Sequence, residues 1–388
     1  MRDDLKIRAA ALRSPEETLL LIAADLIGFT VVFSDELRRT ISRIAKIPFE
    51  NVLLACTHTH TGPATQPLPG IGEVDAAYMG TLSGAFSGAA ADALADAREA
   101  EFSSGTEAVE PIGYNRRSGN FDGIDPYLKV AAFARAEGKI FLLNYACHAV
   151  VVGRKPLVSA DWPGAVVRAL EARGHRAVLF QGFCGDIDPV TNLNRWGEGT
   201  SEDLELYGEI LAGRAIKIDR LAAQTPSATL HSVEKRIRVP LAIPPARDIE
   251  GRAAFFLEKN AGFPLADRFA GEWAKTARER HGELAARPYL DNVPLQAMSI
   301  GGMKLVALPG EVFAAYGLML KKEFPSLFTA GYANGNIGYL PSASAFDDPH
   351  DYAGVFAPMF YTVFPFKPEI ASLLARTARD LLTSLGGP

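Results

Sequence analysis

The chain has 388 residues, 48% of them hydrophobic and 22% charged, with a formal net charge of −5. That length supports a large buried core, and that composition excludes a disordered chain. The acidic balance weighs against a nucleic-acid surface, which needs a basic excess.

Residues 19–24 form a continuous apolar run, as in a strand buried on both faces. The wider apolar stretch, 18–33, is broken by Asp25 and Gly28 and is too short to span a bilayer. Ser34 reads as the N-cap of a helix in which Leu37, Ile41 and Ile44 recur at helical spacing. Pro48 stops that helix, and residues 52–56 are the next strand, a βαβ signature that predicts parallel pairing. An Ala-rich helix follows over about 78–97. Strands at 140–145 and 177–180 flank a short helix with Pro163 in its first turn and Gly174 past its end. An amphipathic helix spans about 202–222, and residues 228–239 read as a strand.

Pro244 and Pro245 then mark a break. Residues 247–286 are charged and helical in pattern, an insertion or a cap over a site. Strands return at 295–300 and 304–308, and a helix closes the chain at about 369–385. No internal repeat is apparent. The pattern predicts one α/β domain over 1–388, with a mixed, largely parallel central sheet flanked by helices and a helical insertion in its second half. Residues 1–6 contain no apolar signal region, and three cysteines cannot build a disulfide framework. Both features point to a cytoplasmic protein without a transmembrane segment.

The polar motifs stand where apolar strands end. Residues 52–56 run into Thr57-His58-Thr59-His60-Thr61-Gly62-Pro63, and residues 140–147 run into His148. Residues 177–180 run into Gly185-Asp186-Ile187-Asp188-Pro189, and residues 304–308 into Pro309-Gly310-Glu311. Ligand crevices of α/β sheets lie at the carboxyl ends of strands, so these ends point to one site. Neutral imidazole is a common metal ligand, and His58 and His60, two apart in extended backbone, share a face. With His148 and Glu311 they make a candidate metal site that keeps a position for water. The competing reading is strand-end histidines satisfied by backbone groups. Cys56, Cys147 and Cys184 adjoin these motifs, as soft ligands or as small apolar packing residues. A G-x-S-x-G elbow and a P-loop are both absent.

The same motifs, with Tyr114-Asn115-Arg116, Asn144 to His148, Ser159-Ala160-Asp161 and Ala333 to Pro341, come in the order found in one family. Over nearly its whole length the chain resembles the catalytic N-terminal domain of the neutral/alkaline (non-lysosomal) ceramidases. That resemblance implies one zinc held by His58, His148, Glu311 and Tyr339. It implies that His60 is the acid/base group and that Arg116 stabilises the oxyanion or anchors the acyl group. Tyr352 lies near the position of a second active-site tyrosine. The implied reaction is hydrolysis of a linear N-acyl amide by a metal-activated water, on a small-molecule or lipid-like substrate.

Asp188 departs from the family, whose ceramidases carry serine there. It orients a histidine, binds a polar substrate, or caps a loop. Asp161, at a helix start, is a substrate-site residue or a helix cap. Arg116 and Arg117 alternatively form a solvated pair, and Phe356, Phe360, Tyr361, Phe364 and Phe366 are core or the lining of an acyl pocket. The chain also ends without the family's C-terminal β-sandwich. Alternative functions are a metal hydrolase of a non-lipid ester, lactone or small N-acyl compound, and a non-catalytic binding relative. A barrel amidohydrolase requires eight β/α repeats, which the pattern does not supply.

Overall fold

The computed structural model describes residues 3–69, 72–225 and 228–386. Strands β1 (Ile7–Arg13) and β2 (Thr18–Ala24) form an antiparallel hairpin. Helix α1 (Val31–Ala45) crosses over, and β3 (Val52–Cys56) pairs parallel to β2. The helix starts before the expected Ser34. The Thr30 hydroxyl accepts from the Phe33 N–H, which makes Thr30 the cap and leaves Ser34 buried inside the helix.

Helix α2 (Ala76–Ala95) and strands β4 (Glu101–Ala108) and β5 (Gly113–Asn115) lead to a second hairpin, β6 (Tyr127–Arg135) with β7 (Gly138–Tyr145). Helix α3 (Asp161–Glu171) again crosses to a parallel strand, β8 (Arg176–Gln181). Strand β9 (Ile187–Pro189) pairs with β5, and a Thr200–Asp203 capping box opens α4 (Ser201–Leu221). Strand β10 (Gln224–Thr225) joins β4, and β11 (Leu230–Pro240) follows.

Residues 247–286 fold mainly as helices α5 (Ile249–Lys259) and α6 (Ala266–Ala286). The third hairpin is β12 (Tyr289–Ile300) with β13 (Met303–Ala307), turning at Gly301, whose φ of 59° suits glycine. After the short strand β14 (Glu311–Val312), helix α7 (Ala314–Lys321) crosses to β15 (Phe328–Ala330), parallel to β13. Strand β16 (Tyr339–Leu340) pairs parallel to β14, and helices α8 (Ala357–Phe360) and α9 (Glu369–Ser384) end the chain.

The three larger sheets therefore share one unit: a hairpin, a helix, and a third strand parallel to the second. The repeat is one of connection rather than of side chains. Its helices run 15, 11 and 8 residues, which hides it in the sequence. The fold is mixed α/β. Within it seven strand pairings are antiparallel and four parallel among the described residues, because a hairpin precedes each crossover. Predominance of parallel pairing and one central sheet, both expected from the apolar runs, give way to three mixed sheets joined at their third strands.

The joint is well bonded. Asn144 donates to the Phe180 and Thr329 carbonyls at 2.9 and 2.8 Å and accepts from the Thr329 N–H at 3.0 Å. The Gly331 N–H reaches Gln181 O at 3.0 Å, and the Asn334 N–H reaches Leu54 O at 2.7 Å. Leu21, Leu142, Phe180, Leu305 and Phe328 pack in the core where the sheets meet. Truncating such a leucine to alanine costs about 2–5 kcal/mol. This joint fixes the relative positions of the strand ends that carry the polar motifs.

Candidate metal centre at the strand ends

His58 follows β3 in a left-handed conformation, φ 62°, strain of about 1–3 kcal/mol for a residue other than glycine. Its backbone N–H donates to Leu26 O at 3.0 Å. Ring atom Nδ1 lies 2.5 Å from Ile27 O, and the ring stacks on Tyr332 at 3.9 Å. A carbonyl only accepts, so Nδ1 carries the proton and Nε2 presents a lone pair. That Nε2 is buried and has no hydrogen-bond partner.

His148 follows β7 and repeats the arrangement. Its Nδ1 lies 3.1 Å from Ile187 O, which turns Nε2 towards Glu311 Oε2 at 2.9 Å. The same carboxylate oxygen lies 3.5 Å from His58 Nε2. Lone pairs and a carboxylate thus converge in a buried space, where a shared cation or proton would stabilise them. Burial alone would raise the Glu311 pKa, yet His58 and His148 hold it well below the ordinary carboxylate range.

His60 adds a third imidazole, edge-on to His58 with ring centroids 4.8 Å apart. Its Nε2 is also buried without a partner. Burial, then His58 and His148, push its pKa well below the usual 6.5, so the ring is neutral. Ligand atoms of His58, His60 and His148 all lie within 4.8 Å of one another, spacing that fits one metal ion. The imidazole nitrogens and the adjoining carboxylate are donor types that a zinc-type ion takes, and His60 lies close enough to serve as a ligand or as a base beside the ion.

Close backbone approach makes the convergence possible. A Cβ on Gly185 would stand 2.3 Å from Glu311 O, so only glycine lets the strand end after β8 meet β14. Tyr339 is the register partner of Glu311 in the β14–β16 pair. Its hydroxyl accepts from Arg116 Nη2 at 2.7 Å, and Arg116 also donates to Gly185 O at 2.7 Å and Asp188 Oδ1 at 3.3 Å. The guanidinium lies 5.4 Å from the Tyr339 ring and 5.5 Å from the Tyr352 ring. Arg116 is thus an anchored side chain rather than half of a solvated pair. Asp188 is buried, holds Arg116, and lies 3.7 Å from His148 Nδ1.

Asp161 is the exception among the expected residues. Its buried carboxylate accepts from the backbone N–H groups of Val151, Val152 and Trp162 at 3.2, 3.1 and 2.8 Å. Both oxygens are committed to backbone N–H groups, the arrangement that the capping alternative describes. It still serves the site indirectly, because Trp162 Nε1 donates to His148 O at 3.0 Å.

Of four further neighbours of the centre, the sequence reading gives Tyr332 and Trp196 no role, takes Cys184 as a soft ligand or packing residue, and takes Tyr361 as core or pocket lining. Tyr332 stacks on His58, and its hydroxyl lies 3.4 Å from His148 Nε2. Cys184 Sγ lies 3.6 Å from that hydroxyl. Tyr361 donates its hydroxyl to Glu311 Oε1. Trp196 stands 5.8 Å from His60, ring to ring, and is 38% exposed; Tyr352, beside Tyr339 and Arg116, is 45% exposed. Tyr332 stands two residues after β15. Trp196 lies in a loop with no periodicity to mark it.

The aromatic cluster is shared between core and site. Phe356, Phe364 and Phe366 are buried, while Phe360 contacts Phe256 and Phe269 of α5 and α6 on one side and Tyr352 on the other. Helices α5 and α6 thus pack behind the wall that carries Tyr352. Among the described residues no helix is long and apolar enough to cross a membrane.

Fold and strand-end site together define a mixed α/β protein with a candidate metal centre. No family model and no curated protein matches the sequence. Solved structures do match, and they show a neutral ceramidase-like fold. A neutral ceramidase from Pseudomonas aeruginosa aligns with TM-score 0.68 and 18% identity, over 95% of this chain and 66% of that one. A ceramidase complexed with C2 aligns with TM-score 0.71 and 16% identity, over 95% and 67%. The chain therefore spans about two thirds of those proteins' length, and at this identity the likeness is one of fold.

Proposed function

We propose that this protein is a metal-dependent hydrolase of linear N-acyl amides, similar in chemistry to the ceramidases whose fold it shares. The observation that carries the reading is the pair of buried, unpartnered nitrogens on His58 and His60 beside Glu311 and His148. A bound zinc ion would acidify a water and polarise the scissile carbonyl. His58, His148 and Glu311 would hold the ion, with Tyr339 as the fourth donor that the family resemblance implies. His60, neutral and with a free Nε2, takes a proton from the attacking water and returns it to the leaving amine. Arg116 is fixed by Asp188 and Gly185 O, and it holds the Tyr339 hydroxyl in place. From there the two groups stabilise a developing oxyanion.

Trp196 and Tyr352, both partly exposed, offer apolar faces with polar edges beside His60 and Arg116, which suits an amphiphilic substrate. The reading includes a cytoplasmic location, which three buried free thiols fit.

The test is elemental analysis of protein purified without a metal-affinity tag, next to His148→Ala, with amide hydrolysis assayed before and after chelation. One zinc per chain is expected in the natural protein. His148→Ala should lose both metal and hydrolysis, and zinc should restore the chelated natural protein. A metal-free natural protein with no hydrolysis after zinc addition would reduce the likeness to one of fold.

A further inference from the structure

A groove of about 950 Å³ runs beside the metal centre, with Tyr361 between them. Tyr361 lines the groove while its hydroxyl binds Glu311. One wall is α1, where Val31, Asp35 and Arg39 recur every four residues and share a face. At 1.5 Å rise per residue, Val31 and Arg39 stand about 12 Å apart along the helix. Apolar lining comes from Val31, Leu290, Val293, Ile337 and Val363, and the size lies within the range of small-molecule sites.

The rim is not apolar. Arg39, Arg236 and Arg280 all border the groove, and the guanidinium groups of Arg39 and Arg236 lie 5.9 and 5.7 Å from the Phe49 ring. Both carboxylates of the lining are already held. Asp35 takes two bonds from Arg236 at 2.7 and 2.8 Å, and Asp291 pairs with Arg238 and Arg287 at 3.1 Å each. Arg39 has only a 3.4 Å contact to Asp35, and Arg280 has no ion pair among the described residues. The groove thus joins an apolar floor to spare guanidinium donors, the complement of an amphiphile with an anionic head.

We infer that this groove is a binding site for a long-chain carboxylate, its tail on the apolar lining and its head on the arginine rim. The carboxylate is the class of molecule that acyl-amide hydrolysis releases. Binding in the groove is separate from hydrolysis and can be read without it.

The experiment is calorimetric titration of the full chain with dodecanoate and with dodecanol, each below its aggregation concentration. Dodecanoate should bind saturably, about tenfold tighter than the alcohol, since charge-assisted hydrogen bonds to guanidinium distinguish them. The preference should shrink at high salt, because the rim is exposed. Arg39→Glu combined with Arg280→Glu should abolish the preference and leave the melting temperature close to that of the natural protein. Thr276→Trp, which fills the groove from α6, should weaken both ligands. Equal affinity for the two ligands, or no saturable binding, overturns the proposal. So does dodecanoate binding that survives the groove variants and vanishes in His148→Ala, which would place the ligand on the metal centre.

Discussion

At the carboxyl ends of β3 and β7 and beside β14, His58 and His60 keep buried ring nitrogens without hydrogen-bond partners, and the Glu311 carboxylate lies 3.5 Å from that of His58. At the opposite ends of the strands, around the starts of β7 and β8, the charged groups are matched in pairs, although Arg135 Nε and His175 Nδ1 are buried without a partner. Asp96 accepts from Arg135 at 2.8 and 3.3 Å and from Arg176 at 2.8 Å, and Arg135 also reaches Glu137 at 2.5 Å. A cavity of about 960 Å³ opens at this second end, yet its rim carries charges that already neutralise one another. Volume does not separate the two ends. Convergence does: at the first end two unpartnered imidazole nitrogens face one carboxylate, whereas at the second the carboxylate is already held by two guanidinium groups.

The strongest way to break this contrast is at His60. His60→Ala should lower hydrolysis by about 10²–10⁴-fold, the usual scale for a general acid/base, while zinc content stays unchanged. Equal loss of zinc would make His60 a ligand and move the acid/base role elsewhere. Tyr339→Phe comes next. It removes a hydroxyl held by Arg116, and turnover should fall about 10²-fold, the scale of one lost oxyanion donor, with little change in zinc content. Equal loss of turnover and zinc would make the tyrosine chiefly a ligand.

Asp161 tests the support beneath the site rather than the site itself. Asp161→Ala leaves three buried N–H groups without their acceptor, at about 1–3 kcal/mol each before relaxation. The melting temperature should drop while zinc per folded chain holds. Burial pushes this carboxyl from 3.8 up to about 6. A raised folded-state pKa means that the folded protein keeps its proton longer than the unfolded chain does. This group's contribution to stability is therefore full below about pH 4 and is lost as pH rises towards 6. Asp161→Asn should flatten that part of the stability profile in denaturant titrations.

His58, His148 and Glu311 were legible in the sequence because each follows a short apolar run that reads as a strand, and ligand crevices of α/β sheets lie at the carboxyl ends of strands. Glu311 also stands behind Pro309-Gly310, which marks the strand's end. Other features depend on contacts that no local pattern encodes. Tyr332 becomes a site residue only because the third sheet docks on the first, with the Cys56 N–H donating to its carbonyl at 3.2 Å. Tyr361 belongs to a run of aromatics that core packing explains equally well, and only its hydroxyl's contact with Glu311 sets it apart. The common unit of three sheets stayed hidden because hairpin turns and helices of different length separate its parts. Asp161 was ambiguous in kind: a buried carboxylate beside a helix start reads the same whether it meets a substrate or backbone N–H groups.

The smallest expected effect lies at the matched end. Hydrogen bonds from Arg135 and Arg176 hold the Asp96 carboxyl well below its usual range, which superficially marks it as a special residue. Its side chain is 34% exposed, however, and water screens most of what the pairing gains. Asp96→Asn should therefore cost about 1 kcal/mol or less at pH 7, with hydrolysis and zinc content unchanged. The sign is opposite to that of Asp161: a lowered folded-state pKa gives stability that is present above about pH 4 and is lost as the pH falls further. The difference between natural protein and variant should thus close in acid, and it should also close in 1 M salt, where the Debye length is about 3 Å. A larger loss, or one that persists in salt, would mean that the pairing at this end is buried in effect. Charge pairing alone would then no longer distinguish the two ends of the strands.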